Sequence, residues 1–258
     1  LNALGIDIGG TGIKCAPVDT VRGVLLSERL RVRTPQPATP EAVAAAVRSV
    51  VAHFDWSGPV GLGLPGVVRQ RVVRFAPHLD PVWLGVDAVA WLEQALGRPA
   101  AVLNDADAAG LAELRFGAGR DRAGVVVVVT LGTGIGTALF VDGRLVPNTE
   151  FGHIEVRGKD AERRASEGAR LRKGWTWKQW ARRVDEYLKR LEAMLWPDLI
   201  ILGGGGSKHH ARFMPYLTVG TPVVPAGLLN DAGIVGTALV AAEQAAGNSD
   251  RRLTPAAA

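Results

Sequence analysis

Apolar positions along this chain fall into short runs broken by glycine, proline and acidic residues. Leu4 to Ile8 is one such run, carrying Asp7 and stopping at Gly9-Gly10-Thr11-Gly12, after which Ile13 to Val18 resumes strand character. Gly23 marks a turn into a third expected strand, Val24 to Val32. Thr39-Pro40-Glu41 reads as a helix start, with Thr39 as N-cap and Pro40 in the first turn, and the helix runs to about His53. Strands are expected at Val60 to Leu64, ended by Pro65-Gly66, and at Val72 to Phe75. Val86 to Leu96 reads as a helix closed by Gly97. Ala101 to Leu103 is a short buried strand leading into Asn104-Asp105, and Asp107 to Phe116 is helical.

The second half repeats the opening. Gly124 to Leu131 is a strand, Gly132-Thr133-Gly134-Ile135-Gly136 is a second glycine loop, Thr137 to Val141 is the returning strand, and Asp142-Gly143 is a hairpin turn. Ser166 to Leu195 has helical spacing, interrupted near Gly174 with Thr176 capping the second part. Leu199 to Leu202 is a strand that enters Gly203 to Gly206 and a new helix, and Asp231 to Gln244 is a final helix. The repeated strand–loop–strand unit predicts a duplicated α/β fold of two lobes. The expected division is an N-terminal lobe over 1–105, completed by helix 232–246, and a C-terminal lobe over 106–231 carrying a basic helical insert at 157–195. The tail 247–258 is expected to be disordered.

Composition narrows the class. The chain has 258 residues, 47% apolar and 21% charged, which excludes disorder as the dominant state and allows a sizeable core. A single cysteine, Cys15, excludes an internal disulfide framework and a multi-cysteine zinc site, and points to a reducing compartment, the cytoplasm. No apolar run reaches membrane-spanning length. The sequence starts without a signal peptide's basic and apolar blocks, and without an initiator methionine. Between Arg157 and Arg190 twelve basic residues face five acids, so this segment carries +7 and the rest of the +5 chain carries −2. Such a segment suits a polyanion: nucleic acid, a membrane surface or a phosphate polymer.

Candidate chemistry collects at the loops. Glycines in Gly9, Gly10 and Gly12 let backbone N–H groups approach an anion, Thr11 can donate a hydroxyl, Asp7 can hold Mg²⁺ through water, and Lys14 can reach phosphate. The plain alternative is a glycine-rich hairpin, and the spacing matches neither a Walker A loop nor GxGxxG. A second loop, with Thr130, Gly132, Thr133 and Gly134, makes phosphate binding the better reading of both. Asp105 suits a general base acting on a hydroxyl that attacks phosphorus, or simply a helix cap. Glu150, His153 and Glu162 form a polar cluster fit for vicinal sugar hydroxyls, or a surface ion-pair set. Gly204 and Gly205 follow a strand as a nucleotide-approaching turn would, or as an ordinary turn would. His209 and His210 read as solvated residues. Trp175, Trp177 and Trp180 lie among the basic residues; the plain reading puts tryptophans in the core and arginines in water.

Taken together, Asp7–Lys14, Leu64-Pro65-Gly66, Asn104-Asp105, Thr130–Gly136, Glu150–His153, Glu162 and Gly203–Gly206 resemble the ROK family of sugar kinases over about residues 3 to 245. The resemblance implies a two-lobed, actin-like (hexokinase/ribonuclease H-like) ATPase fold with an active-site cleft between the lobes. ROK kinases typically carry a cysteine-rich zinc motif after the histidine. Here Ile154 to Ser166 holds no cysteine, so no zinc is expected, and the chain looks like the zinc-free polyphosphate glucokinase branch, which includes polyphosphate/ATP glucomannokinases. That implies transfer of the terminal phosphoryl group of polyphosphate, and ATP, to the 6-hydroxyl of glucose, and of mannose in some members. By this resemblance Gly66, Asn104, Asp105, Glu150, His153 and Glu162 hold the sugar, Asp105 is the catalytic base, and both glycine loops hold donor phosphates with Mg²⁺ near Asp7. Arg163, Arg164 and Arg172 line a polyphosphate path. A homodimer is the family expectation; membrane and nucleic-acid partners are not expected.

Two departures qualify the likeness. Ala76-Pro77-His78 stands where the branch has a sugar-contacting Asn, and Gly63 stands where a bulkier residue is expected, which predicts a looser pocket. Other readings are a strictly ATP-dependent hexokinase, a polyanion-binding module, and a sugar-responsive repressor, the last discounted because the sequence begins at the phosphate strand.

Overall fold

The computed structural model describes residues 1–247. In chain order, β1 (Asn2–Ile8), β2 (Gly12–Asp19), β3 (Val24–Leu25) and β4 (Leu30–Arg33) precede α1 (Pro40–His53). Then come β5 (Val60–Leu64), β6 (Val67–Arg69), β7 (Val72–Phe75), α2 (Ala88–Leu96), β8 (Ala100–Asn104) and α3 (Asp105–Phe116). They are followed by β9 (Val125–Leu131), β10 (Ile135–Val141), β11 (Arg144–Val146), β12 (Glu155–Val156) and β13 (Lys159–Asp160). The rest is α4 (Glu162–Ala165), α5 (Glu167–Lys173), α6 (Trp177–Leu195), β14 (Leu199–Gly203), β15 (Val223–Pro225) and α7 (Ala232–Ala245).

The chain forms two compact units. The first holds Leu1–Ala112 and the chain from Asp231 on; the second holds Glu113–Asn230. The expected division at 105/106 coincides with the first residue of α3, whereas the change of unit falls inside that helix. The expected disordered tail at 247–258 lies, beyond Gly247, outside the described residues.

In the first unit the sheet order is β3-β2-β1-β5-β8, with β4 also paired to β2. β1 and β2 are antiparallel, while β1, β5 and β8 run parallel. All five residues of β5 are buried, as a central parallel strand requires. Helix α7 is buried continuously from Ala232 to Ala242, consistent with its nearly all-apolar sequence. It sits close to the strands because glycines remove the side chains between them. A Cβ on Gly5 would lie 1.9 Å from the Ile234 carbonyl oxygen and one on Gly61 1.9 Å from that of Thr237; α7 approaches helix α3 as closely, since a Cβ on Gly236 would be 1.8 Å from the Ala108 carbonyl oxygen.

The second unit's sheet runs β11-β10-β9-β14-β15. Helix α6 begins with a full capping box between Thr176 and Gln179 and buries Trp180, Ala181, Val184, Tyr187, Leu188 and Leu191, a stripe at helical spacing. Its polar edge clamps the following loop. Asp185 accepts the N–H groups of Thr218 and Val219, at 2.5 and 3.1 Å, and Glu192 accepts the N–H and hydroxyl of Thr221, at 2.5 and 2.8 Å.

Several expected elements differ. The single strand over Val24–Val32 is instead β3 and β4, separated by a bend at Leu26 and Ser27, because both short strands pair with β2 at different registers. The helix expected after Gly206 is a run of 3₁₀ turn over Gly205–Arg212, kinked at His209. The insert at 157–195 opens with the β12–β13 hairpin, not with a helix. Cys15 is buried in the core, and that burial pushes its thiol up to about 12, so it is a packing residue and not a nucleophile. No helix among the described residues is long and apolar enough to cross a membrane.

Candidate active site

In the first unit, β1 delivers Asp7 and β2 delivers Lys14 as a cross-strand pair. Lys14 Nζ lies 2.9 Å from Asp7 Oδ2, so each side chain is positioned by the other at the mouth of the first glycine loop. The loop is closed by Gly9 N–H donating to the Gly12 carbonyl at 3.0 Å, and tied to β4's end by Thr34 Oγ1 donating to the Gly9 carbonyl at 2.6 Å. Gly10 lies between them, half-buried, and the Thr11 side chain is exposed at the tip. The sequence gives no sign that Arg31 belongs here. Its guanidinium covers Gly12, where an added Cβ would meet Nε at 2.8 Å.

The end of β8 supplies the second group. Asn104 is nearly fully buried; its Nδ2 donates to the Gly66 carbonyl at 3.0 Å and its Oδ1 accepts the Asp107 N–H at 2.8 Å. Asn104 therefore caps α3, and the alternative that Asp105 is the cap falls away. Asp105 is the first helical residue, and its carboxylate takes the adjacent Ala106 N–H at 2.9 Å. Gly66 is required by close approach: a Cβ there would sit 2.1 Å from the Phe75 carbonyl oxygen of β7. Gly63 does not loosen a pocket as expected. A Cβ on it would meet Asp105 Cα at 3.3 Å and Thr237 Cγ2 at 3.2 Å, so its absence lets Asp105 and α7 close over β5. His78 is half-buried in the turn after β7.

In the second unit, Gly132 N–H donates to the Gly134 carbonyl at 3.0 Å, and Thr130 Oγ1 accepts the Gly136 N–H at 3.2 Å. Thr133 stands at the loop tip. Gly204, at φ +77°, would bring a Cβ within 2.7 Å of the Leu131 backbone, so the Gly204–Gly205 turn rests on the base of this loop. The N-terminus of α5 closes the other side: Gly168 N–H donates to the Gly132 carbonyl at 2.9 Å, and a Cβ on Gly168 would be 2.4 Å from the Thr133 oxygen.

The polar cluster forms here too. Glu162 Oε2 accepts the Ile135 N–H at 3.0 Å, joining the cluster to the glycine loop. His153 Nε2 is 3.9 Å from Glu150 Oε2, and His153 Nδ1 is 2.8 Å from Asp160 Oδ2. No motif in the sequence singles out Asp160. The signal was the hairpin turn Arg157-Gly158, both at positive φ, which folds β13 back and brings residue 160 beside residue 153.

Of the arginines expected to line a polyphosphate path, Arg164 pairs with Glu186 at 2.8 Å, and Arg157 meets the same carboxylate at 2.9 Å. Arg163 is exposed. Arg172 reaches back over α5, its Nη1 3.0 Å from where a Gly168 Cβ would be, beside the glycine loop. The tryptophans divide. Trp180 is buried and its Nε1 donates to the Ala165 carbonyl at 2.9 Å, whereas Trp175 and Trp177 are half-buried under Arg183 and Arg170, each 3.9 Å from a ring centroid.

The sequence model of the ROK family matches residues 3–169. The chain belongs to the ROK family. It is 49% identical over 239 residues to a polyphosphate glucokinase of Mycobacterium tuberculosis (strain H37Rv), covering 92% of this chain and 90% of the relative. Among solved structures it resembles an inorganic polyphosphate/ATP-glucomannokinase from Arthrobacter sp. strain KM, at 50% identity and TM-score 0.92, covering 94% and 99% of the two chains. A ROK family glucokinase from Streptomyces griseus, in complex with glucose and AMPPNP, matches at 28% identity and TM-score 0.80, covering 94% and 100%. The α/β fold is that of the actin-like ATPases to which ROK sugar kinases belong.

A phosphoryl-transferring ROK protein implies Mg²⁺, and the donor set fits it. Mg²⁺ takes one or two protein carboxylates and completes its shell with water and substrate phosphate oxygens, and Asp7 beside the glycine loop offers such a carboxylate. Among the described residues no group of three or more His, Cys, Asp or Glu is arranged to hold a metal by itself.

Proposed function

We propose that this ROK protein transfers the terminal phosphoryl group of inorganic polyphosphate, and of ATP, to the 6-hydroxyl of glucose. The observation that carries the reading is the near-full-length identity of about half its residues with a polyphosphate glucokinase, alongside an equally close match to a polyphosphate/ATP-glucomannokinase. The site chemistry is consistent with it. Asp105, fixed at the start of α3 by the Asn104 cap, is assigned as the base that takes the proton of the attacking hydroxyl. Gly66, Asn104, Glu150, His153 and Glu162 are assigned to the sugar, whose vicinal hydroxyls suit carboxylate and imidazole partners. The loops at Gly9–Gly12 and Gly132–Gly134, with the Gly204–Gly205 turn, are assigned to donor phosphates. Asp7 would hold Mg²⁺, which would supply charge neutralisation on those phosphates. Most of the rate then comes from positioning and electrostatic stabilisation, as is general for phosphoryl transfer.

We assign the protein to the cytoplasm as a homodimer, on the resemblance alone. Mannose is the second acceptor in this reading, after the name of the Arthrobacter relative.

The test is the initial rate of glucose 6-phosphate formation with Mg²⁺ and either nucleotide-free long-chain polyphosphate or ATP as sole donor. Turnover with both supports the reading. Turnover with ATP alone replaces it by an ATP-dependent hexokinase. No glucose phosphorylation with either donor removes the acceptor assignment and turns attention to the His78 turn, with mannose as the next acceptor.

A further inference from the structure

The second unit's glycine turns carry an acid that the assignments above leave unused. Glu167 opens α5, and both of its chain neighbours are fixed. Ser166 is buried; its Oγ accepts the Ala169 N–H at 3.0 Å and its carbonyl accepts the Trp180 Nε1–H at 3.1 Å. Gly168 donates its N–H to the Gly132 carbonyl at 2.9 Å. The stem of Glu167 rests on the other turn, its Cβ 3.6 Å from where a Gly206 Cβ would be. Its Oε2 lies 3.0 Å from where a Gly205 Cβ would be, and, chain neighbours aside, no other atom of the described residues comes within 4 Å of that point. At Gly132 the corresponding point has nothing within 4 Å. Both glycines thus face open space, and at Gly205 one carboxylate oxygen borders it. Glu167 is half-buried, and its carboxylate makes no hydrogen bond or ion pair among the described residues.

An unpaired carboxylate is out of place among turns assigned to anions, because beside phosphate it adds like-charge repulsion. What it binds well is a pair of adjacent hydroxyls, since a carboxylate only accepts and each hydroxyl can donate. An acid on the ribose diol is the solution that dinucleotide-binding folds adopt. ATP carries such a diol, and polyphosphate has none.

We propose that Glu167 is a donor-selecting residue: it accepts the 2′- and 3′-hydroxyls of the ATP ribose at the Gly204–Gly205 turn, and it repels a polyphosphate chain that passes the same turn. This rests on the proposed function and deepens it, because one side chain then sets the balance between the two donors. Glu167 acts on donor capture and has no part in the chemical step.

The experiment measures kcat and KM with glucose saturating, for ATP, 2′,3′-dideoxy-ATP and long-chain polyphosphate, in the wild type, Glu167→Gln and Glu167→Ala, with circular dichroism to check the fold of each variant. The wild type is expected to prefer ATP to dideoxy-ATP by about 10-fold in kcat/KM, through KM, as a site that bonds a hydroxyl rejects the analogue lacking it. Both variants are expected to lose that preference by a raised KM for ATP alone. They should use polyphosphate as well as the wild type or better, any gain shrinking as salt is raised. Equal use of ATP and dideoxy-ATP by the wild type overturns the ribose contact with no variant needed, and leaves ATP as a donor. Equal losses with all three donors in folded variants overturn it too, since they mark a role common to every donor, such as holding Mg²⁺. A wild type inactive with ATP but active with polyphosphate removes the nucleotide from the proposed function and this proposal with it.

Discussion

Asp160 holds His153 and Glu162 at once. Its Oδ2 is 2.8 Å from His153 Nδ1 and its Oδ1 accepts the Glu162 N–H at 2.8 Å. A carboxylate only accepts hydrogen bonds, so the Nδ1–H of His153 points at Asp160, and the ring is held with Nε2 3.9 Å from Glu150 Oε2. Asp160 is in this sense a positioning residue. Asp160→Ala should raise the KM for glucose by about 10–100-fold while changing kcat less, and Asp160→Asn, which retains an acceptor oxygen, should recover part of it. Steady-state kinetics with varied glucose would decide. Equal loss in both variants, confined to kcat, would remove the positioning role.

Asp105 makes a separate prediction. Asp105→Asn keeps the size and the hydrogen bond to Ala106 but cannot take a proton. We expect kcat to fall by about 10²–10⁴-fold with glucose affinity, read by isothermal titration, little changed. Near-normal turnover would take Asp105 out of the base role.

Close approach of α7 to α3 predicts a stability defect with no direct contact to the donor loops. Gly236→Ala would drive a methyl into the Ala108 carbonyl of α3, now 1.8 Å from that position, and the two helices cannot separate without breaking their other contacts. The expected loss is about 1–3 kcal/mol or more, and a lowered Tm by differential scanning calorimetry measures it. A Tm equal to the wild type would mean the helix can shift freely.

The α6 clamp predicts acid sensitivity. For Asp185, burial raises the pKa, but the Thr218 N–H and hydroxyl and the Lys189 ammonium together outweigh it, and the net direction is downward. Glu192 is lowered mainly by the Thr221 hydroxyl and N–H, against a smaller effect of burial. A carboxylate lowered in the folded state stabilises it fully above its unfolded value, and that stability is lost as pH falls through the folded value. Urea denaturation should therefore show stability declining below about pH 4, with Asp185→Asn less stable at pH 7 and less sensitive to acid. Parallel pH curves for the two proteins would show that the clamp does not couple to folding.

Sequence periodicity and glycine placement alone determined the strand–loop–strand repeats, the caps at Thr39 and Thr176, and the order of the candidate motifs. These are local: a strand needs alternation or a short apolar run, and a cap needs one residue in the right place. Tertiary structure decided what depends on a partner far along the chain. Val24–Val32 became two strands because β2 offers two registers. Gly63, read alone as missing bulk, is the space into which Asp105 and α7 fit. Arg164, expected on a polyphosphate path, is paired with Glu186, while Arg170 and Arg212 lie against one tryptophan ring, Trp177. Asp160 became part of the site only when the hairpin at Arg157-Gly158 carried it back to His153. Charge and glycine content are properties of the residues themselves, but whether a charge is neutralised or a glycine is filled depends on which neighbour the fold brings within a few ångströms.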